Sequence, residues 1–512
     1  MRQHLTNPSL VESAKRAICE VVSAYGEWFM LQNNSPVLSL QATEFDFSIA
    51  QLRLIFSCWT EKGSRSWRVG SWAWTGDKLT LEVSRRMGAE HALIELIPRA
   101  SARAITAGIA AARQARCEKL ALVASLALPG SKIEKAALSP GMRRDQPGRY
   151  GRVVLRLPHE RVAVTATVGL SDARNVDALL SSALLWFSRL RERSRRPYVE
   201  KLWLVVERES LAAVRQRHVL LRDELRRAIE LFEIDEGWAQ LTAVKPLERR
   251  ELWRKRLARL PSPTENDGSE QARQIIAQAP AEIDVVRSRH GETLRYRGLP
   301  FARVRRLMEF ERVWFGIEGS RRILLGERSH EDWQKLWRDL ETHRSARTKD
   351  QRHWLYRAGG EAWLESILRR DITRLDPGLI IAPLHAQFRT AHGGGIAARP
   401  IDLLALRHDG RLAVIELKVT EDREHVFQGV DYWRRVEAHR RRGHIATAKL
   451  FGDRAIANES PLVYLVAPML RFHPSFATLA HTIAPDIEIY RFDINEDWRS
   501  GVRVMRRTRV NG

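Results

Sequence analysis

The sequence predicts an α/β (α+β) chain of more than one domain, and three observations carry that expectation. Two near-continuous apolar runs, residues 401–406 (IDLLAL) and 412–419 (LAVIELKV), flank the turn signal Arg407-His408-Asp409-Gly410 and read as paired, fully buried strands. Helix-like and strand-like segments alternate along most of the chain. At 512 residues, 44% apolar and 29% charged, it is long enough for two or three cores and has the composition of a globular protein.

From the N-terminus, residues 10–33 predict a helix and residues 50–85 a Trp-rich hairpin or meander closed by Thr75-Gly76-Asp77. Trp59, Trp67, Trp72 and Trp74 in that stretch read as core or cross-strand packing rather than as a platform for unpaired bases. An Ala-rich helix is expected over 100–115 and a strand over 118–127. Strands at 152–157 and 160–167, a helix at 175–193, a buried strand at 201–207 and a long basic helix to about 231 follow. Residues 1–258 are thus expected to form an α+β domain, with no internal repeat and no catalytic signature legible in it. Residues 259–280, rich in Pro, Ser, Asn, Asp and Gly over 260–275, read as a linker. Residues 281–345 carry short strands and predict a small β-rich module. The C-terminal domain is expected over 346–512, where strands at 461–468 and 487–494 follow the hairpin.

The hairpin carries the chemistry. Strand alternation puts Asp402, Leu404 and Leu406 on one face, and Leu412, Val414, Glu416 and Lys418 on one face of the partner. A three-residue loop, His408 to Gly410, pairs Arg407 with Arg411 and sets Asp402 opposite Glu416, with Cβ atoms roughly 5 Å apart. A two-residue Asp409-Gly410 turn slips the register by one and separates the acids onto opposite faces. The first register is favoured because it gathers the charges at one point. Facing carboxylates in an apolar sheet repel and are costly to desolvate unless a cation neutralises them, and Mg²⁺ suits oxygen ligands of this kind. Lys418 then stands where it can hold or polarise a water.

Pro400, Asp402 and the Glu416-Leu417-Lys418 triplet together resemble the PD-(D/E)xK nuclease superfamily. The stretch IDLLALRHDGRLAVIELK, with the upstream WLESIL, is similar to NucS-type nuclease domains, and Gln428 with Tyr432 matches the QxxxY element of RecB-like members. The resemblance covers the last third of the chain; Ile401 separates the Pro from Asp402. It implies a restriction-endonuclease-like core, a central mixed β-sheet flanked by helices. Asp402 and Glu416 would be metal ligands, Lys418 the catalytic lysine, and Gln428 and Tyr432 a supporting pair on the following helix. An acid is also expected on the amphipathic helix 360–370 (GEAWLESILRR). Glu365 is the choice and Glu361 the second, against the alternative that Glu365 only pairs with Arg369 at i, i+4.

The wider composition agrees with a phosphate-backbone partner. Net charge is +23, from 85 basic and 62 acidic residues, although most of the basic residues are Arg, as GC-rich coding also produces. The runs Arg434-Arg435 and Arg440-Arg441-Arg442 either track a backbone or form a solvated face. His385, His392, His408, His425, His439 and His444 show no zinc spacing and read as turn and surface residues. Three distant cysteines and the lack of a signal-like N-terminus or a span-length apolar run fit a cytoplasmic protein without membrane contact. The expected function is a Mg²⁺- or Mn²⁺-dependent endonuclease or exonuclease hydrolysing phosphodiesters in DNA. The N-terminal region would select substrate or partner, or form a homodimer. The alternative is an inactive nucleic-acid-binding scaffold.

Overall fold

The computed structural model describes the chain apart from residues 1–2, 6–7, 33–34, 61–62, 76–77, 86–89, 99–101, 141–146, 170–174, 194–197, 255–256, 261, 263–267, 289–290, 308–309, 318–321 and 389–399. Four β-sheets organise the described residues. The first, antiparallel, is built from strands within residues 3–98 and covered by the helix Pro8–Ser23. That helix is shorter than the segment 10–33 predicts, because Glu27–Gln32 turns into a strand whose Trp28 and Met30 enter the core. Trp67 and Trp72 are buried in the same core, which is the packing reading of the Trp-rich stretch.

The second sheet belongs to an α/β unit. Its elements are α1 (Ala102–Ala127), β1 (Lys132–Pro140), β2 (Pro147–Arg156), β3 (Arg161–Thr167), α2 (Val176–Arg193), β4 (Val199–Glu207), α3 (Arg208–His218), α4 (Asp223–Ala228), β5 (Ile229–Ile234) and β6 (Leu241–Val244). Two sequence expectations are corrected here. Residues 118–127 continue α1 rather than forming a strand: Cys117, Leu120, Ala121 and Ala124 are buried at helical spacing, while Leu122 and Leu126 face out. The basic helix to about 231 is two short helices followed by β5, whose Ile229, Leu231 and Ile234 belong to a sheet interior. Residues 1–258 therefore hold two sheets with separate cores.

Residues 283–324 form an antiparallel meander, the β-rich module. Residues 270–278, expected within the linker, are a helix that packs Ala272 and Ile275 into the meander's core, and Ser269 caps it by accepting from the Ala272 N–H.

A second α/β unit ends the chain: α5 (Gly360–Arg370), β7 (His385–Phe388), β8 (Ile401–Leu406), β9 (Leu412–Leu417), α6 (His425–Arg440), β10 (Leu462–Pro468), α7 (Phe476–Ala480), β11 (Ile489–Ile494) and β12 (Val504–Arg509). Its sheet runs β7-β8-β9-β10-β11-β12, with β9, β10 and β11 parallel and the rest antiparallel. Every residue of β9 and β10 is buried, as their unbroken apolar runs require. One face packs on α5 through Trp363, Leu364 and Leu368. The other packs on α6, where a Cβ on Gly429 would meet Leu465 at 2.5 Å, so this helix needs a glycine at its closest approach to the sheet.

The two α/β units share one apolar core. Leu179, Leu180 and Leu184 of α2 cluster with Val426, Phe427, Val430 and Trp433 of α6 and with Phe476 and Leu479 of α7. Arg217 of α3 bridges Asp177 at 2.9 Å and Asp431 of α6 at 3.1 Å across the junction.

Candidate active site

The turn between β8 and β9 sets the register of the site. Leu403 faces Ile415 and Leu406 faces Leu412, and the Arg407 N–H donates to the Arg411 carbonyl. This is the three-residue loop, closed by Gly410 in the left-handed region at φ 81. Extended by one pair, the register sets Asp402 opposite Glu416 at the far end of the hairpin.

Four predicted residues, Asp402, Glu416, Lys418 and Glu361, meet there, joined by Asp422. Asp402 Oδ2 accepts from the Leu417 N–H at 2.9 Å, and Lys418 Nζ donates to Glu416 Oε1 at 2.6 Å. Lys418 also lies 3.9 Å from Glu361 Oε1 and 3.8 Å from Asp422 Oδ2. Glu416 and Lys418 are 2% and 8% exposed, so the ammonium and the acid are held together away from water. The charges act on one another as that geometry requires. Burial, and then the Glu416 charge, raise the Asp402 carboxyl well above the ordinary carboxylate range. Burial also raises Glu416, opposed first by Lys418. Burial alone would lower the Lys418 ammonium, but Glu416, Glu361 and Asp402 push it above its ordinary value. The Tyr432 hydroxyl, on α6, is raised by burial and then by Glu416 and Asp402. The Arg435 guanidinium lies 4.5 Å from the Tyr432 ring.

Gln428 is buried one turn before Tyr432, and its Oε1 has no hydrogen-bond partner. Glu416 Oε2 is likewise buried and unpartnered. Two buried oxygen acceptors without donors fit a hard divalent cation in donor chemistry. Among the described residues, no three His, Cys, Asp or Glu side chains stand in metal-ligand geometry. Glu416 Oε1 is taken by Lys418, and Glu365 Oε1 by Arg295.

Glu365 is buried, and its charge contributes to raising Asp402. Its partner is not Arg369. Arg295 of the meander donates to Glu365 at 2.9 Å and to Asp284 at 2.7 Å, and Arg369 is drawn to Asp284 at 2.8 Å. No local sequence signal marks Arg295, which arrives from another sheet. The meander is fastened to α5 tightly: a Cβ on Gly298, at φ +80, would lie 1.9 Å from the Ala362 carbonyl oxygen. Arg344, fully buried, donates to the carbonyls of Tyr296, Arg297, Leu355 and Ala358 and stacks 4.7 Å from the Trp363 ring.

Two other groups differ from expectation. Most of the arginines in these runs are turned inward: Arg434 and Arg435 pair with Asp431, and Arg440 pairs with the fully buried Glu437, which the exposed Arg441 also reaches from just beyond α6. They neutralise buried acids rather than forming an open basic face. His425 and His439 are buried, not surface residues. The His425 imidazole, against the Glu416 carbonyl and stacked on Phe472, is pushed down to about 3 by burial and then by Lys418, so it is neutral. His392 lies outside the described residues.

No helix among the described residues is long and apolar enough to cross a membrane. Comparison with family models, with curated proteins and with solved structures returns no match to this chain.

Proposed function

We propose that this chain is a metal-dependent nuclease that hydrolyses phosphodiester bonds in DNA, with a restriction-endonuclease-like core over the second α/β unit. The observation that carries this reading is the convergence of Asp402, Glu416 and Lys418 at one end of a buried hairpin, where an acid oxygen is left without a donor. A purely structural sheet has no use for opposed buried acids, which cost stability unless compensated.

Asp402, Glu416 and Glu365 would hold Mg²⁺ or Mn²⁺, Glu365 after release from Arg295. The bound ion supplies charge compensation at the phosphodiester and its leaving oxygen. Lys418, its ammonium fixed against Glu416, would orient the attacking water in line with the scissile bond. Gln428 and Tyr432 support that arrangement from α6, and the regions before residue 346 contribute substrate or partner selection.

The test is a cleavage panel of linear, circular, flapped and single-stranded DNA with Mg²⁺ or Mn²⁺. Lys418→Ala and Asp402→Ala should lose metal-dependent cutting by at least about a hundredfold while DNA affinity stays near wild type. Wild-type cutting by either variant overturns the assignment.

A further inference from the structure

The two α/β units have the same topology. The first unit's sheet runs β1-β2-β3-β4-β5-β6 with β3, β4 and β5 parallel and the others antiparallel, which is the order and sense of β7 to β12. The agreement extends to register. Val164 pairs with Val153 and Trp203, as Ile415 pairs with Leu403 and Tyr464. It extends to the faces as well. Val153, Val164 and Trp203 turn toward α1 as Leu403, Ile415 and Tyr464 turn toward α5. The crossover segments after β4 and β10 pair with each other: the Arg222 N–H donates to the Thr482 carbonyl and the Ala484 N–H to the Leu220 carbonyl, each at 2.9 Å. Equivalent segments meeting antiparallel is the signature of a two-fold, isologous contact, here within one chain.

This register assigns a counterpart to the strand residues of the candidate active site. Arg152 stands where the second unit has Asp402, Thr165 where it has Glu416, and Thr167 where it has Lys418. On α2, Ser182 and Trp186 are four apart, the spacing of Gln428 and Tyr432 on α6, and both contact Arg152. The first unit therefore has no acid pair, and a cation occupies the centre. Arg152 Nη2 donates to Ser182 at 3.2 Å and the guanidinium lies 5.4 Å from the Trp186 ring. Its Nε is buried with no acceptor, and it forms no ion pair with any described carboxylate. Its charged neighbours are two further cations, Arg189 of α2 and Arg423, which together with burial lower it to about 10. Both are exposed. Arg423 adjoins Asp422, which borders Lys418, so the positive cluster reaches the mouth of the active site.

Resting on the nuclease reading above, we infer that the first α/β unit is a duplicated, metal-free copy of the second whose centre binds a backbone phosphate of the nucleic acid through Arg152, Arg189 and Arg423. A planar guanidinium with a free donor, itself in no ion pair with a described carboxylate, is suited to a phosphodiester oxygen.

The experiment measures binding of a fluorescein-labelled DNA duplex to the full-length chain by anisotropy in EDTA, across a salt series. Arg152→Ala should weaken binding about tenfold and lower the salt slope by about one. The exposed pair Arg189→Glu with Arg423→Glu, which leaves the core untouched, should weaken it further. Wild-type affinity and slope in the double variant, or in an Arg152→Ala protein with a wild-type melting curve, overturn the inference. The nuclease reading fails separately: it falls if wild type shows no metal-dependent cleavage, whatever Arg152 does to binding.

Discussion

Arg295 and Glu365 form an ion pair at 2.9 Å with side chains only 6% and 2% exposed, joining the β-meander to the helix behind the acid pair. The meander thereby walls the candidate site. Removing one member of a buried pair strands the other's charge, so Arg295→Ala should cost about 3–5 kcal/mol in urea titrations. Glu365→Gln, which keeps an acceptor for Arg295, should cost far less. Equal losses from the two would show that packing, not charge, sets the effect.

Asp402 faces Glu416, and burial and then that neighbouring charge raise its carboxyl. Asp402→Asn removes the repulsion and keeps an oxygen for the Leu417 N–H, so the metal-free protein should gain about 1 kcal/mol while cleavage disappears. A destabilised, inactive variant would instead assign Asp402 a structural role.

At the junction of the α/β units, burial opposes the Asp431 charge, but Arg217, Arg434 and Arg435 hold its carboxyl well below the ordinary range. Its contribution is present above the unfolded carboxylate pKa near 4 and is lost only as pH falls through the lower folded value. Arg217→Ala should cost about 2 kcal/mol at pH 7, and the gap to wild type should narrow as pH falls below about 4. Melts at pH 7, 5, 4 and 3 read this directly, and a gap independent of pH rules out the charge account.

Gly298 and Gly359 both lie in the left-handed region, at φ +80 and +53, but only Gly298 is pressed against backbone. Gly359→Ala should cost about 1 kcal/mol of strain. Gly298→Ala adds a clash with Ala362 and should release the meander from α5, detected as new protease sensitivity between residues 281 and 345. Equal behaviour of the two variants would exclude close docking as the cause.

A single opposed acid pair among the described residues also makes a kinetic prediction for the proposed nuclease. Supercoiled circular DNA should accumulate as the nicked circle before any linear form, since each encounter cuts one strand. Linear product at the earliest times would require two cutting centres.

The hairpin was legible because its alternation, its Gly410 turn and its out-of-place charges are all local. Arg295 was not, since its partner Glu365 lies on a helix 70 residues away in another unit. Residues 118–127 are apolar enough for either a strand or a helix, and only the burial of Leu120, Ala121 and Ala124 against β2 and β3 decides. The repeated unit was hidden for a different reason. The copies share where apolar residues fall, but differ at the positions that carry chemical identity, Arg152 against Asp402 and Thr165 against Glu416.

Fusing both halves of a two-fold assembly into one polypeptide has its own effect. Each half finds the other at a local concentration fixed by the connecting chain, so the pairing survives dilution that would dissociate separate subunits. Released from the symmetry that identical subunits impose, one side can specialise in grip and the other in chemistry, and the protein can address an asymmetric target in a single orientation.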